Sequence, residues 1–264
     1  MNTETQDYYD KFSSHLLKSS YIDVNRRMQG IRQFLSESIS PSTKSILEIG
    51  CGIGANAYYI AKRIAPKAKI MGVDISRKNI ELATILFDHN NINFQCLDVT
   101  QDSISDSKFS AVILPDVYEH IPKNRRTILH AKIKALLSEN GKVFITVPTP
   151  SAQETARKAG NVLQIIDEPV TLDDLLRFAQ EIDGTLTYYS LVSVGSTNNY
   201  AYAIIEKDAG EIRPLQKIDR IAIKRAERQT FHRRKFKKTA KKIRRCILKF
   251  YVKAKLKKHN ISIE

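Results

Sequence analysis

Glu48, Gly50, Gly52 and Gly54, then Asp74 and Asp98, and then Asp116, Glu119 and His120 are the residues of this 264-residue chain whose types and spacing could do chemistry. The first four lie in ILEIGCGIGANAYYIA, residues 46–61, where apolar Ile46, Leu47 and Ile49 run into a turn with three positions that lack a β-carbon. Such a turn lets a ligand approach bare backbone N–H groups at a helix N-terminus. Gly50, Gly52 and Ala55 also satisfy the dinucleotide pattern G-x-G-x-x-G/A, so the turn alone does not name its ligand. Glu48, two residues before the first glycine, offers a carboxylate that favours a cation over a pyrophosphate, and Gly54 permits a second close backbone approach. Asp74 ends the next apolar run 20 residues after Gly54, a spacing suited to ribose hydroxyls. Asp98, closing NFQCLDV, puts another acceptor at the same sheet edge.

In order and spacing, Glu48, Gly50, Gly52, Gly54, Asp74, Asp98 and residues 116–122 (DVYEHIP) resemble the class I S-adenosylmethionine-dependent methyltransferases, in particular their small-molecule branch. The similarity covers residues 8–206. It implies a methyltransferase with S-adenosyl-L-methionine as cofactor, on a Rossmann-like, doubly wound α/β sheet closed by a C-terminal antiparallel hairpin. The cofactor contacts it implies are Glu48, Gly50, Cys51, Gly52, Gly54, Asp74, Ile75, Asp98 and Val99. A nicotinamide enzyme would share the glycine turn, and the late hairpin counts against it.

The resemblance further implies that the residues after the fourth strand line the gap between methyl donor and acceptor, which makes Asp116, Glu119 and His120 the catalytic candidates. A sulfonium methyl is already activated, so in-line positioning supplies much of the acceleration. What remains is removing a proton from a hydroxyl acceptor, and an imidazole suits that task. His120 is the candidate base, with Asp116 or Glu119 orienting it or binding acceptor hydroxyls. The plainer alternative is that Glu119 and His120 open a helix as first-turn structure. Asp116, Glu119 and His120 also approach an E-x-x-E-H arrangement that binds a divalent ion in some relatives. One carboxylate is shortened here and hard ions want several oxygens, so no metal is assigned. The N-P-P-[YF] loop of enzymes that methylate nucleobase amines is missing, since residues 114–117 read LPDV.

The elements that must position these groups follow from periodicity. Residues 7–38 read as one or two helices with Tyr8, Tyr9, Phe12, Leu16 and Leu17 on an apolar side. In the resembled family a leading helix covers the cofactor pocket and can offer a tyrosine, which Tyr8 or Tyr9 could be; core packing is the other use of both. Pro41 and Ser42 break the chain before the first strand. Strands are expected over 46–49, 69–73, 92–97, 109–114 and 143–147. Helices are expected to about 64 after Asn56, stopping at Pro66, then over 77–89 with Asn90 and Asn91 as the stop, and over 127–137. A turn at 139–142 draws its positive φ from Gly141. Residues 151–183 are longer than a crossover needs and carry an N-cap at Thr171 followed by Asp173 and Asp174. Strands over 185–194 and 200–206, joined by 195–199, complete a hairpin. Alternating strands and helices imply parallel pairing, with ligands at the strand C-termini where Gly50, Asp74, Asp98 and Asp116 all fall.

Composition bounds the rest. Apolar residues make up 42%, enough for a packed core, and Cys51, Cys96 and Cys246 form no C-x-x-C pair. Without a leader pattern, that suggests a reducing cytoplasm and no structural zinc. No apolar run approaches the roughly 18 residues a membrane span needs. Of the net charge of +15, residues 207–264 hold 21 Lys+Arg against 5 Asp+Glu, a net +16, which leaves −1 for the remainder. Two parts are therefore expected: a methyltransferase domain over 1–206, with residues 1–40 as a helical cap, and a basic amphipathic tail over 207–264. In that tail Phe236, Ala240, Ile243, Ile247, Phe250 and Ala254 recur at helical spacing among Lys and Arg. Such a helix suits the anionic inner face of a membrane, while the same charge could contact RNA phosphates or stay solvated. The expected reaction is O-methylation of a small or lipid-linked acceptor, a sugar, glycolipid or quinone-like hydroxyl, by a peripheral membrane enzyme. An RNA methyltransferase with the tail as its arm is the alternative, and a cofactor-binding scaffold without catalysis the third.

Overall fold

The computed structural model describes residues 3–160, 166–207, 237–259 and 261. The chain divides into two units, Met1–Ala209 and Gly210–Glu264.

In the first unit α1 (Thr3–Leu16) passes through a π-helical stretch, Leu17–Ile22, into α2 (Arg26–Ser38). Then come β1 (Ser45–Ile49), α3 (Ala55–Arg63), β2 (Lys69–Asp74), α4 (Arg77–Leu86), β3 (Ile92–Cys96) and β4 (Phe109–Pro115). A short 3₁₀ turn, Tyr118–His120, leads to α5 (Lys123–Leu136), β5 (Leu137–Pro148), α6 (Pro150–Lys158), α7 (Leu172–Glu181), β6 (Gly184–Val192) and β7 (Tyr200–Lys207). One seven-stranded sheet has the order β3-β2-β1-β4-β5-β7-β6. The pairings among β1 to β5 are all parallel, and β7 pairs antiparallel with both β5 and β6. This is the expected doubly wound sheet with its closing hairpin.

Strand alternation feeds two cores. Leu47, Val112, Leu114, Val143 and Ile145 face Leu129 and Ile133 of α5 and Phe178 of α7. Ile46, Ala111, Ile113 and Phe144 face Ile31 and Leu35 of α2 and Ile60 of α3. A parallel sheet covered on both sides needs apolar residues at successive positions, which is why β1 and β4 read as nearly continuous apolar runs. Parallel order puts the C-terminal ends of β1, β2, β3 and β4 on one edge, and the loops that follow them form the site.

The structure differs from expectation at α4, α5 and β5, the last starting at Leu137 rather than 143. α4 ends at Leu86 rather than 89: Phe87 leaves the helix at φ −123°, buried between Tyr21 and Tyr58 with ring centroids 4.8 Å away from each. α5 starts at Lys123 rather than 127, because the Lys123 N–H finds an acceptor in Glu168 Oε2 at 2.8 Å, 45 residues along the chain. The positive φ in the 139–142 turn belongs to Asn140 at +56°, and this turn lies within β5, where the ladder shifts register against β4. Gly141 is needed for room, since a β-carbon there would lie 2.7 Å from Leu137 Cγ.

In the second unit α8 spans Lys237–Lys258. Ile247 and Phe250 are exposed, at 62% and 79%. Of the expected stripe, Phe236 lies outside the described residues. Among those described, no helix is long and apolar enough to cross a membrane.

Candidate active site

The glycine turn is built by its neighbours. Cys51 N–H donates to Val73 O at 3.0 Å and Gly52 N–H to Asp74 Oδ2 at 2.8 Å, so the turn is tied to the end of β2. Gly50 has φ +65°, and a β-carbon on it would fall 2.3 Å from Val117 Cγ2. Gly54, the left-handed N-cap of α3 at φ +77°, would strike Phe94 Cζ at 2.4 Å. Phe94 of β3 thus lies where a β-carbon of Gly54 would be, so part of what this glycine does is to make room for β3.

A cavity of about 270 Å³ opens over this edge. Glu48, Gly50, Cys51, Gly52, Asp74, Ile75, Asp98 and Val99 line it, and so do Asp116 and His120. α1 covers it with Tyr9, Phe12 and Leu16. That helix is pinned by Asp10, whose carboxylate accepts from the Ser76 hydroxyl and from the Lys78 N–H at 3.2 Å. Ser13 Oγ donates to Asn79 Oδ1 at 2.8 Å, and Asn79 in turn donates to Asp74 Oδ1 at 3.2 Å.

One end of the cavity is acidic with spare acceptors. Asp74 takes N–H bonds from Gly52, Ser76 and Asn79, and Asp98 takes bonds from the Thr100 N–H, the Thr100 hydroxyl and Gln101 Nε2. A carboxylate accepts about four, so each keeps roughly one lone pair for a ligand hydroxyl. Glu48 is 1% exposed and neither of its oxygens has a hydrogen-bond partner. Burial pushes its carboxyl up to about 8; Asn56 and the Ala57 N–H pull the other way without reaching hydrogen-bond geometry. The Arg32 charge also opposes the shift, and an ammonium or sulfonium beside this carboxyl would favour its charged form further. The residues present thus fit a positively charged nucleoside.

The other end holds the groups after β4. Asp116 sits at φ +57° and is clamped: Arg27 Nη1 lies 2.9 Å from its Oδ2, and Thr146 Oγ1 donates to Oδ1 at 3.0 Å. Burial lifts its carboxyl, with Arg27 opposing. Arg27 also donates to Tyr200 Oη at 3.4 Å and lines the cavity. Glu119 is 2% exposed and is not among the residues that line the cavity. Burial raises it well above the usual carboxylate range, and the Asp116 charge adds to this. His120 Nδ1 lies 2.6 Å from the carbonyl oxygen of Ile166, while its Nε2 is 3.8 Å from Glu119 Oε1. Desolvation lowers the imidazole below its ordinary value, leaving it neutral. Neither Asp116 nor Glu119 is therefore the orienting hydrogen-bond partner of His120; a backbone carbonyl is. Among the described residues no group of three His, Cys, Asp or Glu could hold a metal ion.

Reading the chain alone missed Arg27, Asn56, Asn79, Arg125 and Ile166 as wall residues. Asn79 had a local signal, lying three residues after Ser76, whose hydroxyl caps α4. Arg27 and Ile166 had none.

Comparison with known proteins fits this geometry. The profile of the methyltransferase-domain family matches residues 21–188. The ubiquinone biosynthesis O-methyltransferase of Coxiella burnetii is 28% identical over 116 residues, 43% of this chain and 47% of that protein. The malonyl-[acyl-carrier protein] O-methyltransferase of Priestia megaterium is 31% identical over 132 residues, 49% of this chain and 45% of that protein. The chain spans about half the length of the curated relatives it matches. Among solved structures, the magnesium protoporphyrin IX methyltransferase of Synechocystis with bound SAH shares the fold, with TM-score 0.62 at 16% identity over 78% of this chain and 100% of that one. The matched segment carries the glycine turn, Asp74, Asp98 and His120 on the sheet described above, and the chain belongs to the class I S-adenosylmethionine-dependent methyltransferases.

Proposed function

We propose that this protein transfers a methyl group from S-adenosylmethionine to an oxygen of a small or lipid-linked acceptor, with a hydroxyl as the acceptor group. The observation that carries the reading is the polarity of one cavity: an unpartnered Glu48 carboxyl with Asp74 and Asp98 at one end, and a neutral His120 at the other. Asp74 and Asp98 would hold ribose hydroxyls or neighbouring polar atoms through their remaining lone pairs, and Glu48 would face the cationic part of the cofactor. The cofactor, when bound, supplies a methyl group already activated by positive sulfur.

The chain's own contribution is alignment and a proton acceptor. A 2.6 Å contact from Nδ1 to a carbonyl oxygen requires the proton on Nδ1, so Nε2 carries the lone pair that receives the acceptor's proton. Arg27 and Asp116 present a fixed donor and acceptor to other polar groups of the acceptor, and α1 shields the space from water. That two relatives are by name O-methyltransferases supports oxygen as the receiving atom. Sugar hydroxyls remain the first choice within this class. The tail, through α8 with exposed Ile247 and Phe250 among its lysines, would bring the domain to an anionic membrane where a lipid-linked acceptor resides.

Incubating labelled S-adenosylmethionine with membrane, RNA and soluble extracts tests the acceptor class: label in lipid or small molecules is expected, and label confined to RNA overturns it. His120→Ala is expected to lower turnover by about 10²- to 10⁴-fold with cofactor affinity nearly unchanged. Wild-type turnover in that variant would end the general-base role.

A further inference from the structure

Residues 166–168 run across the 3₁₀ turn that carries His120 and touch it twice. The Ile166 carbonyl accepts from His120 Nδ1 at 2.6 Å, and the Glu168 N–H donates to the Glu119 carbonyl at 2.9 Å. This strap is anchored on both sides. On one side Gln153 of α6, itself 2% exposed, donates through Nε2 to the Asp167 carboxylate, and Arg157 Nη2 donates to the Asp167 carbonyl at 2.9 Å. On the other, Glu168 Oε2 accepts the Lys123 N–H at 2.8 Å and lies 3.8 Å from Arg126 Nη2. Asp167 is thus held by α6 and Glu168 by α5.

We propose that this strap, set in place by Gln153 and Arg157, is the positioning element for His120: it selects the tautomer protonated at Nδ1 and so leaves Nε2 as the nitrogen that takes the proton. The inference rests on His120 acting as the base. It assigns Gln153 and Arg157 a part in the reaction although neither touches the acceptor, and it makes α6 the element that decides whether the imidazole is ready. The geometry leaves little alternative among the polar groups near the ring. Tyr9 of α1 packs edge-on with centroids 6.3 Å apart, and Arg27 of α2 is engaged with Asp116. Glu119 Oε1, at 3.8 Å from Nε2, is beyond hydrogen-bond range, and the Asp167 carboxylate is occupied by Gln153. Among the described residues the Ile166 carbonyl is what bonds the ring, and a backbone carbonyl is an acceptor in every protonation state of the protein. It therefore specifies a donor at Nδ1, as a carboxylate or carbonyl does behind a metal-bound or catalytic histidine.

During turnover the acceptor O–H bond breaks as Nε2–H forms, and the new O–CH₃ bond forms as the sulfur–methyl bond breaks. The imidazolium that results donates from Nδ1 to the same carbonyl, so the strap also stabilises the charged product of proton transfer.

The test pairs two variants and two readouts. Gln153→Ala removes the buried anchor, and Arg157→Ala, at an exposed position, removes the second anchor without opening the core. With histidine labelled at the ring nitrogens, long-range ¹H–¹⁵N spectra of the protein without ligand report the tautomer of His120 directly; His120→Ala identifies its signals. The wild type is expected to show protonation at Nδ1, and each variant a mixture with the Nε2 tautomer. In the same variants kcat is expected to fall about tenfold or more, with KM for the cofactor within twofold and an altered dependence of kcat on pH. An unchanged Nδ1 signature in both variants, or a fall in kcat matched by an equal rise in cofactor KM, overturns the positioning role. A His120→Ala enzyme of full turnover would instead remove the base itself while leaving the tautomer measurement intact, so the two failures are separable.

Discussion

Glu48 is one residue whose environment and chemistry pull in opposite directions. It sits on β1 among Ile46, Leu47 and Ile49, where apolar side chains would pack without penalty, and both of its oxygens are orphaned. Burial raises its carboxyl to about 8 from 4.5. Between those two values the folded protein binds more protons than the unfolded chain, so the stability of the unliganded protein falls as pH rises from about 4.5 to 8 and levels off above. Glu48→Gln has no such proton to lose. The expected outcome is a variant about as stable as wild type near pH 5 and more stable at pH 9, by up to a few kcal/mol, since each tenfold change in proton affinity corresponds to about 1.4 kcal/mol. Saturating S-adenosylmethionine should shrink the wild-type decline, because a cation beside the carboxylate favours its charged form. Melting curves that run parallel from pH 5 to 9 would show that burial leaves this carboxyl unperturbed.

Elements carry the site by their ends. α7 starts with a complete capping box: Thr171 Oγ1 accepts the Asp174 N–H at 3.2 Å, and Asp174 Oδ2 accepts the Thr171 N–H at 2.8 Å. It then buries Leu175 and Phe178, and Phe178 stacks on His130 at 4.0 Å between centroids. His130 ties α5 to α7 through Glu181 at 2.7 Å and to Tyr118, in the same 3₁₀ turn as His120, at 2.9 Å. Thr171→Ala should cost about 1 kcal/mol, a drop of roughly 2–4 °C in Tm for a domain of this size, with cofactor affinity unaffected. An unchanged Tm by calorimetry would mean that packing alone fixes α7. The cap was legible beforehand because Thr171 and Asp174 are three residues apart. The start of α5 was not, because the acceptor for its first N–H comes from Glu168 in another segment.

At the scale of the whole molecule, charge is segregated: a methyltransferase domain near neutrality and a tail holding a net +16. Each basic residue near an anionic membrane surface contributes about 1 kcal/mol, so replacing Lys249, Lys253 and Lys257 of α8 together with Gln should weaken partition into anionic vesicles by roughly a hundredfold. Raising salt should do the same to the wild type. Equal sedimentation with neutral and anionic vesicles would refute an electrostatic anchor, and selective retention on RNA would transfer the tail to the alternative reading.

Local pattern determined a good deal by itself. The glycine turn, the acidic ends of β2 and β3, the parallel pairing implied by alternation and the closing hairpin all follow from residues within a few positions of one another, where sterics and periodicity act directly. Tertiary structure decided the rest, because the interactions concerned join distant segments. Arg27 becomes a wall of the cavity only by pairing with Asp116, 89 positions later, and nothing in its own neighbourhood marks it. The partner of His120 is a main-chain carbonyl at Ile166, and a backbone oxygen has no side-chain identity to read in a sequence. Gly54 leaves room for Phe94 of β3, a contact between segments 40 positions apart that the local pattern does not show.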